Sequence, residues 1–277
     1  MSLPIIRSLL FVPGSRPERF AKAAGAGADI ICIDLEDAVL PADKATARQA
    51  VVNYLKDNNK LVVRINHIAS SDGIDDLTAM LNAENTPLAI MLPKTASADE
   101  IELVVSKIAN TEIKIIALLE SVAGVQNAAA IALADDRVEA LMFGGADYSA
   151  EIGAEFSYEP LLLARSQLVQ AKAAKSIQLI DVPHIDIKNI DELSQETSKV
   201  KALGFTGKAA IHPIQLDAIH QAFSPTNEEI EQAQSILASV TSIDAGVVVV
   251  NGRMIDRPII VAAQRTMALA NVATNKN

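Results

Sequence analysis

Tryptophan is absent from the 277 residues, and only three tyrosines and six phenylalanines are present. Any sizeable core must therefore be aliphatic, built from Ala, Val, Ile and Leu. Cysteine is reduced to one residue, Cys32, inside an apolar run. That excludes an internal disulfide framework and points to a reducing compartment. Cys32 reads as a small buried apolar residue rather than a nucleophile. Positive charge is in deficit, with 24 Lys and Arg against 34 Asp and Glu and a formal net charge of -10. Such a surface repels nucleic acid and anionic membrane while leaving room for a local basic pocket. No secretory signal pattern is seen and no apolar run is long enough to span a bilayer, so a cytoplasmic location is expected. No G-x-G-x-x-G follows the first apolar run, which argues against an open doubly wound sheet. Internal repeats, low-complexity segments and domain linkers are also missing.

Half of the residues are hydrophobic, and they come in short runs that each end in a polar or turn residue. Continuous apolar runs of this length suit strands buried on both faces, as in a parallel sheet. The expected strands are residues 7–13, 30–35, 61–65, 88–92, 113–121, 140–143, 177–180 and 208–211. Helical segments are expected between them at 18–25, 41–55, 74–82, from 97 onward, and at 123–133, 160–175 and 190–203. Ser97 with Glu100 three residues later has the form of a capping box. Eight strands alternating with helices over about 250 residues match a (β/α)8 TIM barrel. The barrel is assigned to residues 1–222. Residues 223–277 form a helix–hairpin–helix extension: a helix from Asn227, an apolar strand at 246–250, the hairpin signal Asn251-Gly252, and a helix from Pro258. An apolar hairpin outside a completed barrel has to bury itself over its own barrel mouth or on a neighbouring subunit.

In such barrels the active site lies at the C-terminal ends of the strands. The polar residues there are Asp34, Glu36, Asp37, Arg64, Lys94, Glu120, Asp147, Asp181 and His212. So many acids around one opening call for a hard divalent cation, and Mg2+ characteristically takes one or two carboxylates with water and substrate completing the shell. Glu120 and Asp147, each following a buried strand, are the chosen pair. Each acid taken alone is equally compatible with a helix cap or a structural ion pair. Arg64 is either a buried partner of one of these acids or a clamp on a substrate carboxylate. His212 reads as a satisfied core histidine, and Lys94 as a partner of the acids. Arg16, Arg19 and Lys22 form either a solvated basic face or a phosphate-binding helix start.

Eight short segments then occur in a telling order: Leu-Leu-Phe-Val-Pro-Gly (9–14), Asp-Leu-Glu-Asp-Ala-Val (34–39), Val-Arg-Ile-Asn (63–66), Leu-Pro-Lys (92–94), Leu-Leu-Glu-Ser (118–121), Phe-Gly-Gly-Ala-Asp-Tyr (143–148), Ile-His-Pro (211–213) and Asn-Gly-Arg-Met-Ile-Asp-Arg-Pro (251–258). Together they resemble the citrate lyase beta-subunit-like branch of the HpcH/HpaI aldolase superfamily, which includes malyl-CoA and citramalyl-CoA lyases. The resemblance spans nearly the whole chain. It implies a trimeric or hexameric TIM barrel that uses Mg2+ to cleave a 3-hydroxyacyl thioester reversibly into an acetyl thioester and a 2-oxo acid such as oxaloacetate. On this resemblance Glu120 and Asp147 fall on the metal-binding acids and Arg64 on the substrate-binding arginine. Glu36 and Asp37 fall on the acidic pair around the metal waters. Arg16, Arg19 and Lys22 fall near the contacts to the phosphates of coenzyme A. Asp256 falls on an acid brought to a neighbouring subunit's site. Two departures stand out. Ala146 replaces a Glu found in many members, and Ala154, Glu155 and Phe156 stand where many carry basic residues.

Catalytic roles follow for Arg64, Asp37, Glu36 and Asp256, with Arg64 placed to stabilise an enolate oxygen. Three other readings stay open. One is a subunit that acts on an acyl-carrier-protein thioester in a citrate lyase complex. Another is a non-catalytic sensor of a 2-oxo acid or CoA ester. The third is a metal aldolase acting on free 2-oxo acids.

Overall fold

The computed structural model describes residues 2–239, 248–250 and 253–274. The chain divides into two compact units, Met1–His220 and Gln221–Asn277.

In the first unit eight parallel strands close into a barrel: β1 (Ser8–Pro13), β2 (Ile30–Asp34), β3 (Val62–Arg64), β4 (Ala89–Leu92), β5 (Lys114–Leu119), β6 (Val138–Phe143), β7 (Gln178–Asp181) and β8 (Gly207–Ala210). β1 pairs with β2 on one side and β8 on the other, so the sheet has no edge. Side chains alternate across each strand, and the inward set forms an apolar plug. It includes Leu9, Cys32, Val62, Met91, Ile116, Leu118, Met142, Ile180 and Ala209. Burial pushes the Cys32 thiol far above its usual range, in keeping with a packing role.

The helices are α1 (Phe20–Ala24), α2 (Lys44–Leu55), α3 (Ser71–Leu81), α4 (Ala98–Lys107), α5 (Val122–Gln126), α6 (Ala128–Leu133), α7 (Gly145–Ile152), α8 (Leu162–Ala173), α9 (Ile190–Leu203) and α10 (Leu216–Phe223). Their starts differ from expectation where local hydrogen bonding decides. α3 begins three residues before the expected start, because the Ser70 hydroxyl accepts from the Gly73 N–H at 3.0 Å. The capping box at Ser97 does not form. Glu100 instead accepts from the Ala96 N–H at 2.7 Å, and the Ser97 side chain caps nothing. The small-residue helix at 123–133 is broken at Asn127 into α5 and α6. α7 and α10 have no counterpart in the sequence reading, where Gly144–Asp147 close the sixth strand.

In the second unit α11 (Asn227–Ala238) and α12 (Arg257–Thr274) pack through Ala233, Ile236, Ile260 and Ala263, joined by Ile255. α11 carries a complete capping box between Thr226 and Glu229. β9 (Val248–Val250) and β10 (Arg253–Ile255) pair antiparallel, Val250 opposite Arg253. The Asn251-Gly252 turn itself lies outside the described residues. Among the described residues no helix is long and apolar enough to cross a membrane.

Candidate active site

The inward alternation of the barrel strands continues past their apolar plug into a final layer at the C-terminal mouth. There Phe11 of β1, Asp34 of β2, Arg64 of β3, Glu120 after β5 and Gly144 after β6 line a cavity of about 480 Å³. Asp37 joins from the loop after β2 and Ala146 and Asp147 from the first turn of α7, and Met142, Val182 and Ile211 also line it.

Arg64 is the fixed point. Its Nε and Nη2 donate to the two oxygens of Asp34, each at 2.7 Å, in a planar fork. Its guanidinium carbon lies 5.2 Å from the centre of the Phe11 ring. Nη1 lies 3.1 Å from Glu36 and 3.7 Å from Asp37. Burial would lower the Arg64 pKa, but the bonds and charges of Asp34 and Glu36 outweigh it, so the cation is locked on. Asp34 is held in turn by the backbone N–H groups of Glu36 at 2.9 Å and Ala38 at 3.1 Å. Arg64 is thus the partner of a buried acid, one of its two readings, and its Nη1 faces Glu36 and Asp37 at the mouth.

Glu36 is buried between two cations, Arg64 and Lys94, whose Nζ lies at 2.8 Å. Neither contact is an aligned hydrogen bond, and both carboxylate oxygens lack one. Burial raises the Glu36 pKa against the pull of Arg64. Lys94 pairs with Glu36, and its Nζ reaches Asp37 at 3.9 Å. Its backbone is left-handed (φ 55°), which turns its own N–H onto Glu120 Oε1 at 2.7 Å. Asp37 is more than half exposed.

Glu120 sits behind this group, buried. Burial, then the charge of Glu36, then a hydrogen bond shared with Asp147 push its pKa up to about 8. Gly144 makes the approach possible. A Cβ there would fall 2.2 Å from the Glu120 Cβ and 2.9 Å from Oε2. Asp147 is exposed in the first turn of α7. Two carboxyls that line one cavity are the donor set a hard divalent cation would take over. Among the described residues no group of three or more His, Cys, Asp or Glu could hold a metal by itself. The fit is therefore to an ion that takes two carboxylates and leaves the rest of its shell to water and substrate, which is the habit of Mg2+.

Other expected residues lie elsewhere. Asp181 does not face the mouth. Its neighbour Ile180 points inward, so Asp181 points outward between barrel and helices. There it is fully buried, bonded to Arg165 at 3.0 Å and to Lys208 at 2.7 Å, and these charges hold its carboxyl below the usual range despite burial. His212 is not a core residue. It is exposed and caps the Pro213–Gln215 turn, its Nδ1 accepting from the Ile214 N–H at 3.2 Å. Arg16 and Arg19 line a second cavity of about 550 Å³ that shares Pro13 and Ala38 with the mouth. Lys22 is exposed on α1 and is not among the residues lining it. Asp256 belongs to the second unit, where its backbone carbonyl accepts from Ile259 and Ile260 at the start of α12.

Asp34 received no role from the sequence, although its place one strand before Arg64 in the same inward register marks it as the natural partner. Arg165 and Lys208 also went unread. A lysine between Gly207 and Ala209 in a buried strand demands an acid, and that demand was the available signal.

Comparison with known proteins identifies the fold and the family. Residues 7–213 match the HpcH/HpaI aldolase/citrate lyase family, and residues 166–273 match the C-C bond lyases of the TIM-barrel fold. The citrate lyase subunit beta of Leuconostoc mesenteroides subsp. cremoris is 34% identical over 96% of this chain and 93% of its own length. The human mitochondrial citramalyl-CoA lyase is 31% identical over 98% of this chain and 87% of its own. Among solved structures, CitE from Mycobacterium tuberculosis in complex with magnesium, acetoacetate and coenzyme A superposes with a TM-score of 0.80. It shares 32% identity and covers 96% of this chain and 98% of its own. The M. tuberculosis citrate lyase beta subunit complexed with oxaloacetate and magnesium gives a TM-score of 0.72 at 35% identity over 81% of this chain and 100% of its own. The chain belongs to the HpcH/HpaI aldolase/citrate lyase family, and it is a carbon–carbon lyase.

Proposed function

We propose that the protein is a Mg2+-dependent lyase that cleaves a 3-hydroxyacyl thioester of the citramalyl-, malyl- or citryl-CoA type into an acetyl thioester and a 2-oxo acid. The observation that carries this reading is the coincidence, at one barrel mouth, of the paired acids Glu120 and Asp147 with an arginine locked beside them. The magnesium complexes of M. tuberculosis CitE support the choice of ion. Glu120 and Asp147 would hold the cation, which when bound polarises the oxygen on the reacting carbon and offsets the repulsion between the two acids.

Asp37 is the base best placed to take the hydroxyl proton, being exposed at the mouth beside Arg64 and Lys94. The electron pair of that O–H bond becomes the new carbonyl of the 2-oxo acid. The carbon–carbon bond breaks, and its pair passes to the thioester as an enolate. Arg64 keeps N–H groups beyond those on Asp34 and would donate them to the enolate oxygen as charge develops. Glu36, wedged between Arg64 and Lys94, positions both. Proton return to the enolate carbon falls to Asp256 of a neighbouring subunit in a trimer or hexamer. The Arg16 and Arg19 groove is the natural berth for the phosphates of coenzyme A.

The test is cleavage of malyl-, citramalyl- and citryl-CoA with detection of the 2-oxo acid. Turnover of one of them, lost with EDTA and in Arg64→Ala, is expected. Turnover that survives EDTA would overturn the metal assignment. A second reading is favoured by the relatives named as citrate lyase subunit beta. In it the thioester is carried by an acyl carrier protein in a complex, and copurification with such a carrier, together with inactivity on CoA esters, would select it.

A further inference from the structure

The mouth has two unlike arcs. From β2 to the start of α7 it presents Asp34, Arg64, Glu120 and Asp147 above Leu118 and Met142, whereas from the end of β7 round to β1 it presents Val182, Pro183, Ile211 and Phe11. We propose that the 2-oxo acid handled here is a monocarboxylate with a short apolar side group, pyruvate rather than oxaloacetate; this rests on the thioester cleavage proposed above. An oxo acid engaged through its carboxylate and oxo oxygen by the charged arc leaves its third substituent to the rest of the wall. A methyl group matches that wall. A second carboxylate does not, because Arg64 is the one cation lining the cavity among the described residues, and its fork is spent on Asp34. Val182 is buried, so a charge laid against it loses its water. Ala146, on the same rim, adds no charge. The apolar arc therefore sets specificity while the charged arc does the chemistry.

Two measurements on the intact protein decide this. The first is kcat/KM for citramalyl-CoA and for citryl-CoA with Mg2+, expected to favour citramalyl-CoA by at least about tenfold. The second is calorimetric titration of pyruvate and of oxaloacetate into the Mg2+-loaded protein, expected to show tighter binding of pyruvate. Ile211→Lys puts a cation into the apolar arc at a residue that is 44% exposed and so tolerates charge. It should shift both preferences toward the dicarboxylate by about tenfold. Equal or better cleavage of citryl-CoA, tighter oxaloacetate binding, or ratios unmoved by Ile211→Lys would overturn the inference. Should no thioester turn over, the thioester reading fails alone, and the titrations still decide which oxo acid the mouth prefers.

Discussion

Arg64 with Asp34 at the mouth and Arg165 with Asp181 behind β7 are the same pair of side chains in two settings. Behind β7 the charges balance. Arg165 and Lys208 face Asp181 and Glu196, with contacts of 2.7 to 3.4 Å, and both Asp181 and Lys208 are fully buried. Burial raises the Asp181 pKa, its two cations lower it, and the cations win. At the mouth five carboxylates, Asp34, Glu36, Asp37, Glu120 and Asp147, stand against Arg64 and Lys94. There burial and neighbouring acids win, and the pKa values of Glu36 and Glu120 rise. A cluster that closes on itself holds a fold together. One left with surplus negative charge is waiting for a cation and a substrate.

The contrast breaks if the two clusters respond alike to mutation. The largest effect expected is on activity: Glu120→Ala should abolish metal-dependent turnover in a steady-state assay while leaving the thermal midpoint of the metal-free protein unchanged or higher. Wild-type activity with an unchanged Mg2+ requirement would end the assignment. Next, Arg165→Ala should cost about 3–5 kcal/mol in urea unfolding, because it leaves Asp181 buried with a lost partner. A loss under about 1 kcal/mol would mean that the buried cluster is not the clamp described here.

The smallest and most discriminating effect is on pH. The Glu120 pKa is raised from 4.5 to about 8 in the fold. Its protonated form therefore stabilises the metal-free protein fully below 4.5, and that contribution fades as pH rises through 8. Asp181 acts in the opposite sense, being held below 3.8, so its contribution is present above 3.8 and is lost as pH falls through its folded value. Differential scanning calorimetry without metal should show a melting temperature that declines from pH 5 toward pH 8, by roughly a few degrees. Saturating Mg2+ should remove that decline. A decline unaltered by Mg2+ would separate Glu120 from the metal.

The barrel was legible because its strands are short apolar runs spaced by helix-forming segments, and hydrophobic burial needs little more than that. Most of the mouth was legible because polar residues close those runs. The register was not. Asp34, Arg64 and Glu120 end their strands on the inward face, but Asp181 follows the inward Ile180 and so turns outward. In a strand apolar on both faces nothing local distinguishes the two registers. Only the partners do, and Lys208 and Arg165 come from 27 and 16 residues away in the chain. α7 was hidden for a different reason. Gly144 and Gly145 read as the end of the sixth strand, yet they are small because Glu120 and Phe143 press against them.

That crowding ties two positions into one unit of descent. A side chain at 144 collides with the carbon skeleton of Glu120, so neither position drifts freely. A lineage that shortened residue 120 first could then fill 144, and afterwards the long acid could no longer return in a single step. The glycine thus acts as a ratchet in the protein's history: kept empty, it leaves the acid replaceable and recoverable; once filled, it makes recovery of the acid a matter of two changes rather than one.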